Sequence, residues 1–228
     1  IEKAAFYNCP KLTSIVVEED NANYASENGV LFNKDKTTLI QYPKGKTDAV
    51  YTIPSSVISI EVEAFSPCPN LTSIEVSKNS QLTSIGEKAF SSCEKLTSIT
   101  IPEKVESIGS ATFRADNNLA TIVFLGKETI IDTYAGLTKS ATIHGYIDST
   151  AHVYADTNGY KFVPLDDTPL THTLTLNANG GSFSDGTTPT IEVNNKTVGV
   201  TPISLATYVP ARVGYQFLGW ALEQGATE

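Results

Sequence analysis

The chain has 228 residues and a formal net charge of −9 at pH 7, with 16 Lys and Arg against 25 Asp and Glu. Its 40% hydrophobic content suffices for a sizeable core and excludes wholesale disorder. An acidic chain lacks the clustered Lys and Arg needed to neutralise phosphates, so no nucleic-acid partner is expected. No apolar run approaches the ~18 residues of a membrane helix, so no membrane insertion by this piece is expected either. Met is absent and the chain opens on Ile1-Glu2-Lys3, which reads as a processed or excised piece of a longer protein.

Internal repetition organises most of the chain. A partial copy opens it: Ala5-Phe6, Cys9, Leu12-Thr13-Ser14-Ile15. Two apolar runs then flank the polar Asn33-Lys34-Asp35-Lys36 turn, which predicts a β-hairpin inserted into one coil. The next unit carries Ile53-Pro54, Val57, Ile60, Ala64-Phe65, Cys68 and Leu71-Thr72-Ser73-Ile74. The phrase returns as Leu82-Thr83-Ser84-Ile85, Ala89-Phe90, Cys93. It closes as Leu96-Thr97-Ser98-Ile99-Thr100-Ile101-Pro102, followed by Val105, Ile108 and Thr112-Phe113. Val17, Ile53, Val76, Ile101 and Phe124 mark one position, separated by 36, 23, 25 and 23 residues.

A period near 23 lies in the leucine-rich-repeat range of roughly 20–29 residues. Within Leu-x-x-Ile-x-Ile, the alternation predicts a strand with one face inward. The Pro that follows cannot donate to a ladder and ends it. The Ala-Phe pair supplies one small and one large side chain where the coil turns. One unit cannot bury its apolar face alone, so the units stack into a mainly β solenoid of about six coils with short helical turns. The degraded unit at Ile131, Tyr134, Leu137 and Ala141-Thr142-Ile143 is expected to cap it. Ser149-Thr150 before Ala151 and Asn158-Gly159 after Ala155 predict a short capping helix, and Tyr160–Pro164 a closing strand.

These phrases resemble the BspA-type leucine-rich repeats of bacterial surface proteins. The stretch from Asn23-Tyr24 to Tyr42-Pro43 is similar to that family's irregular unit, and Ile143-His144-Gly145-Tyr146 to Phe162 to its usual ending. The resemblance covers about residues 1–165 and implies an exported, surface-located protein.

Composition shifts after Leu165. Residues 166–172 read as a linker and 173–228 as a second module. Thr173–Asn177 alternates as a strand, Asn179-Gly180-Gly181 as a turn, and residues 190–193 as another short strand. With Gly214-Tyr215-Gln216-Phe217-Leu218-Gly219-Trp220, this module resembles the Listeria–Bacteroides repeat, which implies a small β-grasp-like fold. That family continues past the Trp with a further strand, so a module stopping at Glu228 is expected to be incomplete. Trp220, Tyr215 and Phe217 read as its core rather than as a ligand platform.

Cys9, Cys68 and Cys93 each follow the repeat Phe by three residues, so they are one repeat position seen three times. A buried free Cys behaves as a small hydrophobe. The competing reading is a Cys68–Cys93 bridge between adjacent coils, whose parallel side-chain directions argue against it. His144, His152 and His172 lack metal-ligand spacing, and no nucleophile elbow, zinc-protease motif or phosphate loop occurs. No catalytic residue, metal or cofactor is therefore expected.

The repeat frame places two columns outward from the sheet: Ser14, Val50, Ser73, Ser98, Thr121 and Val16, Thr52, Glu75, Thr100, Val123. Short, weakly charged side chains make a flat, mildly polar surface, suited to extended contact with a protein or glycan. The sequence thus reads as a non-catalytic bacterial cell-surface or secreted adhesion module for a host or matrix protein or glycan. A structural stalk presenting another domain, or an accessory module of a larger surface hydrolase, are the alternatives. Ligand identity and oligomeric state stay open.

Overall fold

The structure is a computed structural model and describes residues 1, 5–6, 9–77, 79–165, 171–178, 181–183, 190–194, 209–213 and 215–216. The chain divides into two compact units, Ile1–Asp166 and Asp167–Glu228. The strands of the first unit are β1 (Tyr24–Glu27), β2 (Val30–Asn33), β3 (Thr38–Gln41), β4 (Val50–Ile53), β5 (Ser59–Ile60), β6 (Ser73–Val76), β7 (Ser84–Ile85), β8 (Ser98–Ile101), β9 (Ser107–Ile108), β10 (Thr121–Phe124), β11 (Ile130–Ile131), β12 (Thr142–Gly145) and, after helix α1 (Thr150–Asn158), β13 (Lys161–Pro164).

The first unit is a solenoid of about five turns between two sheets, rather than the expected six coils. One sheet is parallel, in the order β13-β12-β10-β8-β6-β4. The other runs β1-β2-β3-β5-β7-β9-β11, antiparallel among its first three strands and parallel thereafter. From β4 to β11 each turn contributes a four-residue strand to the first sheet and a two-residue strand to the second.

Three expectations need correction. The opening copy, Leu12-Thr13-Ser14-Ile15, belongs to no strand. The Ile15 amide donates to Gly29 O at 2.9 Å and the Val17 amide to Ser26 Oγ at 2.9 Å, so this segment follows the hairpin instead of the six-stranded ladder. The hairpin forms where expected, β2 pairing with β3 across the Asn33-Lys34-Asp35-Lys36 turn, but it is larger and part of the second sheet. β1 adds a third antiparallel strand through the Asn28-Gly29 turn, both residues at positive φ, and β3 pairs parallel with β5. The turns around the Ala-Phe pairs are not helical. Glu63, Lys88 and Ala111 sit at φ near +55° (59°, 53° and 53°), and a left-handed residue interrupts any α-helical run. Among the described residues α1 is the single helix.

Leu82-Thr83-Ser84-Ile85 also lands elsewhere. Ser84-Ile85 is β7 of the seven-stranded sheet, in register with Ser59-Ile60 and Ser107-Ile108, whereas the same words at Ser73-Ile74 and Ser98-Ile99 form the six-stranded sheet.

The core is a column of rings. Tyr42, Phe65, Phe90 and Phe113 stack along the solenoid with centroid separations of 5.3, 5.2 and 6.0 Å. All four are buried, and the inward Ile of each strand packs around them. Cys68 and Cys93 are free thiols buried three residues beyond their Phe, as expected of small hydrophobes at a repeated core position. Burial pushes the Cys68 thiol well up. Asp116 takes the same place after Phe113 and is 2% exposed. One of its carboxylate oxygens accepts from the Cys93 amide at 2.7 Å, and the other has no hydrogen-bond partner among the described residues. Burial raises its pKa to about 7 against the lowering by the Cys93 and Ser92 amides.

The cap forms as predicted. Ser149 Oγ accepts from the His152 amide at 3.2 Å, and Gly159 ends α1 at φ 68°. His152 stacks on Phe162 at 4.4 Å, a structural role.

In the second unit, β14 (Thr171–Thr175) and β15 (Thr190–Asn194) pair antiparallel, and Ser182 bridges Ala211. Asn179, Gly180, Gly214, Phe217, Gly219 and Trp220, on which the second resemblance rests, lie outside the described residues.

Candidate binding groove on the six-stranded sheet

Period-2 alternation puts Tyr51, Ile53, Ile74, Ile99, Ile101, Ile122 and Phe124 inward, which turns their neighbours to solvent. Eight of the ten candidate residues stand on that outer face. Val50, Ser73, Ser98 and Thr121 are aligned by the register of β4, β6, β8 and β10. Thr52 pairs with Glu75, its hydroxyl 3.3 Å from Glu75 Oε2, and Thr100 pairs with Val123. Ser14 and Val16 are not brought to this face, because their segment bonds to the hairpin. The rows instead continue through Thr142 and His144 of β12 to Lys161 and Val163 of β13.

The face is not uniformly flat. β4 with β6 and β8 with β10 pair over four residues, but β6 and β8 pair only at Ser73↔Ser98 and Ile74↔Ile99. Beyond Ile74 the ladder stops, and Glu75 and Thr100 flank an opening. Here the repeat spacing lengthens from 23 to 25 residues, the two extra residues lying between Val76 and Leu82. The longer loop forms one wall of a groove of about 890 Å³ whose floor includes Ser73, Ser98 and Thr100.

The loop is tied down. Ser77 Oγ donates to Ile53 O at 3.2 Å, and the Leu82 amide to Ser80 Oγ at 3.1 Å. On the opposite wall Lys104 Nζ donates to Gln81 Oε1 at 2.8 Å. The groove presents hydroxyls, the amides of Asn79 and Gln81, and the charges of Glu75, Glu103 and Lys104 over an apolar edge at Pro102 and Leu125. Its chemistry is hydrogen bonding at fixed positions. Sequence reasoning found the floor but missed Asn79, Gln81, Lys104 and Leu125. The signal was the 25-residue spacing. Among the described residues no three His, Cys, Asp and Glu are grouped to hold a metal, and no helix is long and apolar enough to cross a membrane.

Residues 44–144 match the BspA type leucine rich repeat region, in six copies. A leucine-rich repeat protein from Eubacterium ventriosum has 32% sequence identity and a TM-score of 0.56, the match covering 69% of this chain and 44% of that one. This chain therefore spans less than half the length of that protein. Pneumococcal vaccine antigen PcpA matches at 20% identity over 68% of this chain and 50% of its own, with a TM-score of 0.48. A leucine rich cell surface protein from Faecalibacterium prausnitzii matches at 23% over 72% and 44%, with a TM-score of 0.40. No curated protein matches. The BspA-type match contains β4 to β10 and with them every wall of the groove.

Proposed function

We propose that this chain is a non-catalytic binding module of a bacterial cell-surface or secreted protein, contacting a host or matrix protein or glycan along the outer face of the six-stranded sheet. The groove opened where β6 and β8 part carries the reading. It supplies a recessed set of fixed donors and acceptors on an otherwise level, extended face, and such an arrangement suits contact spread along a chain-like ligand. The BspA-type repeats support the surface location. The domain plan proposed with it is a repeat domain over 1–165, a linker over 166–172 and a Listeria–Bacteroides-like β-grasp module over 173–228.

A stalk is the second reading, favoured by the lack, among the described residues, of any aromatic or Arg side chain in the groove lining, since such anchors dominate tight interfaces. One experiment separates them. The chain is passed over immobilised matrix proteins and a glycan panel beside Thr100→Arg, which fills the floor from an exposed position. Binding that weakens about tenfold or more in the variant, with an unchanged melting curve, supports the groove. A ligand held equally by both proteins removes it, and a blank panel favours the stalk.

A further inference from the structure

A second site lies at the other sheet, at its last strand. In each turn from β5 to β11, the strand of the following turn pairs with the one before it. After β11 that succession stops. Val153, 23 residues beyond Ile130, sits in α1, so a helix occupies the place where the next strand would stack. A helix is about 10 Å wide and strands pair at about 4.8 Å, so α1 cannot complete the ladder. The start of α1 is bonded to the residues just before β11. Thr150 donates its hydroxyl to Thr129 O at 2.6 Å and its amide to Lys127 O at 2.9 Å.

The edge beyond is open. The amides of Ile130 and Asp132 donate back to Glu106 O at 2.8 Å and Ile108 O at 3.2 Å. Backbone groups alternate in direction along a strand, so the amide and carbonyl of Ile131 point away from β9, and no described strand takes them up. Between this edge and α1 runs a groove of about 420 Å³. Ile130, 67% exposed, and Val153, 60% exposed, give it apolar sides. Glu128 and Asp148 give it negative charge, and among the described residues no Lys, Arg or His lines it.

We propose that this groove takes an extended, apolar, cationic peptide segment of a partner protein, which adds as a strand to the edge of β11. The backbone of Ile131 would supply the strand hydrogen bonds, Ile130 and Val153 the pockets for alternate side chains, and Glu128 with Asp148 the preference for Lys or Arg.

The test uses the whole chain and a fluorescein-labelled peptide, Lys-Val-Thr-Val-Thr-Lys, read by anisotropy at low salt. Two control peptides replace both Lys by Glu, or the central Val by Pro, which cannot donate to a ladder. Saturable binding of the Lys peptide alone is expected. It should weaken about tenfold in Val153→Arg and in the double variant Glu128→Lys, Asp148→Lys, and stay unchanged in Thr100→Arg. That last variant separates this site from the groove on the six-stranded sheet. Equal binding of the Glu or Pro peptide, no binding of the Lys peptide, or indifference to both groove variants would overturn the proposal. So would concentration-dependent dimerisation abolished by Val153→Arg, which would put a second copy in the groove.

Discussion

Phe90 has a ring on either side of it, Phe65 at 5.2 Å and Phe113 at 6.0 Å, so its loss empties the middle of the core column. Phe90→Ala should cost about 3–5 kcal/mol in denaturant unfolding. Asp116 differs because its cost depends on pH. Its folded pKa of about 7 exceeds the unfolded value of about 3.9, so the folded state holds its proton more tightly. Stability therefore falls as pH rises between those values, and the full penalty is present above pH 7. Asp116→Asn keeps an acceptor for the Cys93 amide and removes the charge. It should be more stable than the parent by on the order of 2–4 kcal/mol at pH 8, with the gain gone near pH 3. Equal stability of the two proteins at pH 8 would show that the carboxylate is not penalised. The cysteines make a simpler case: thiol titration of unfolded, unreduced protein should find three free thiols, with Cys68 and Cys93 unreactive until unfolding.

The turns between strands are as demanding as the strands. A Cβ at Gly109 would lie 2.5 Å from the Glu87 amide nitrogen, in the backbone of the preceding turn. Gly109→Ala should destabilise by about 1–3 kcal/mol, because backbone cannot retreat as a side-chain end can. Gly159→Ala meets nothing within 4 Å and strains only its left-handed φ, so about 1 kcal/mol is expected. Denaturant midpoints of the two variants would rank them. These turns also mark the limit of reading elements from sequence. The six-stranded sheet was legible because Ile99 and Ile101, or Ile122 and Phe124, alternate over four residues. The second sheet was not, because Ser59-Ile60 and Ser107-Ile108 are too short to show a period. Leu82-Thr83-Ser84-Ile85 misled for a related reason: its four residues suit either sheet, and only distance along the coil decides. The floor of the groove was readable from the same alternation, whereas its wall arises from a two-residue change in loop length that alters strand pairing at a distance.

At the scale of the whole solenoid, turns touch only their neighbours, and the last turn depends on its cap. Deleting residues 150–165 would take β13 from the edge of β12, leaving both sheets with a bare last strand, and remove the packing of Ala151 and Ala155 against the core. The shortened chain should melt at lower temperature and aggregate in light scattering, since bare strand edges pair with one another. Deleting a whole turn should be far milder. Ser98 and Thr121 are direct partners in adjacent strands and hold the same position in their turns. Excising residues 98–120 would join Thr97 to Thr121 and give every ladder an equivalent partner again. Because the register repeats so closely, unequal recombination between copies of the underlying gene could lengthen or shorten this protein by whole turns. The surface would then vary in reach without a new fold having to be found.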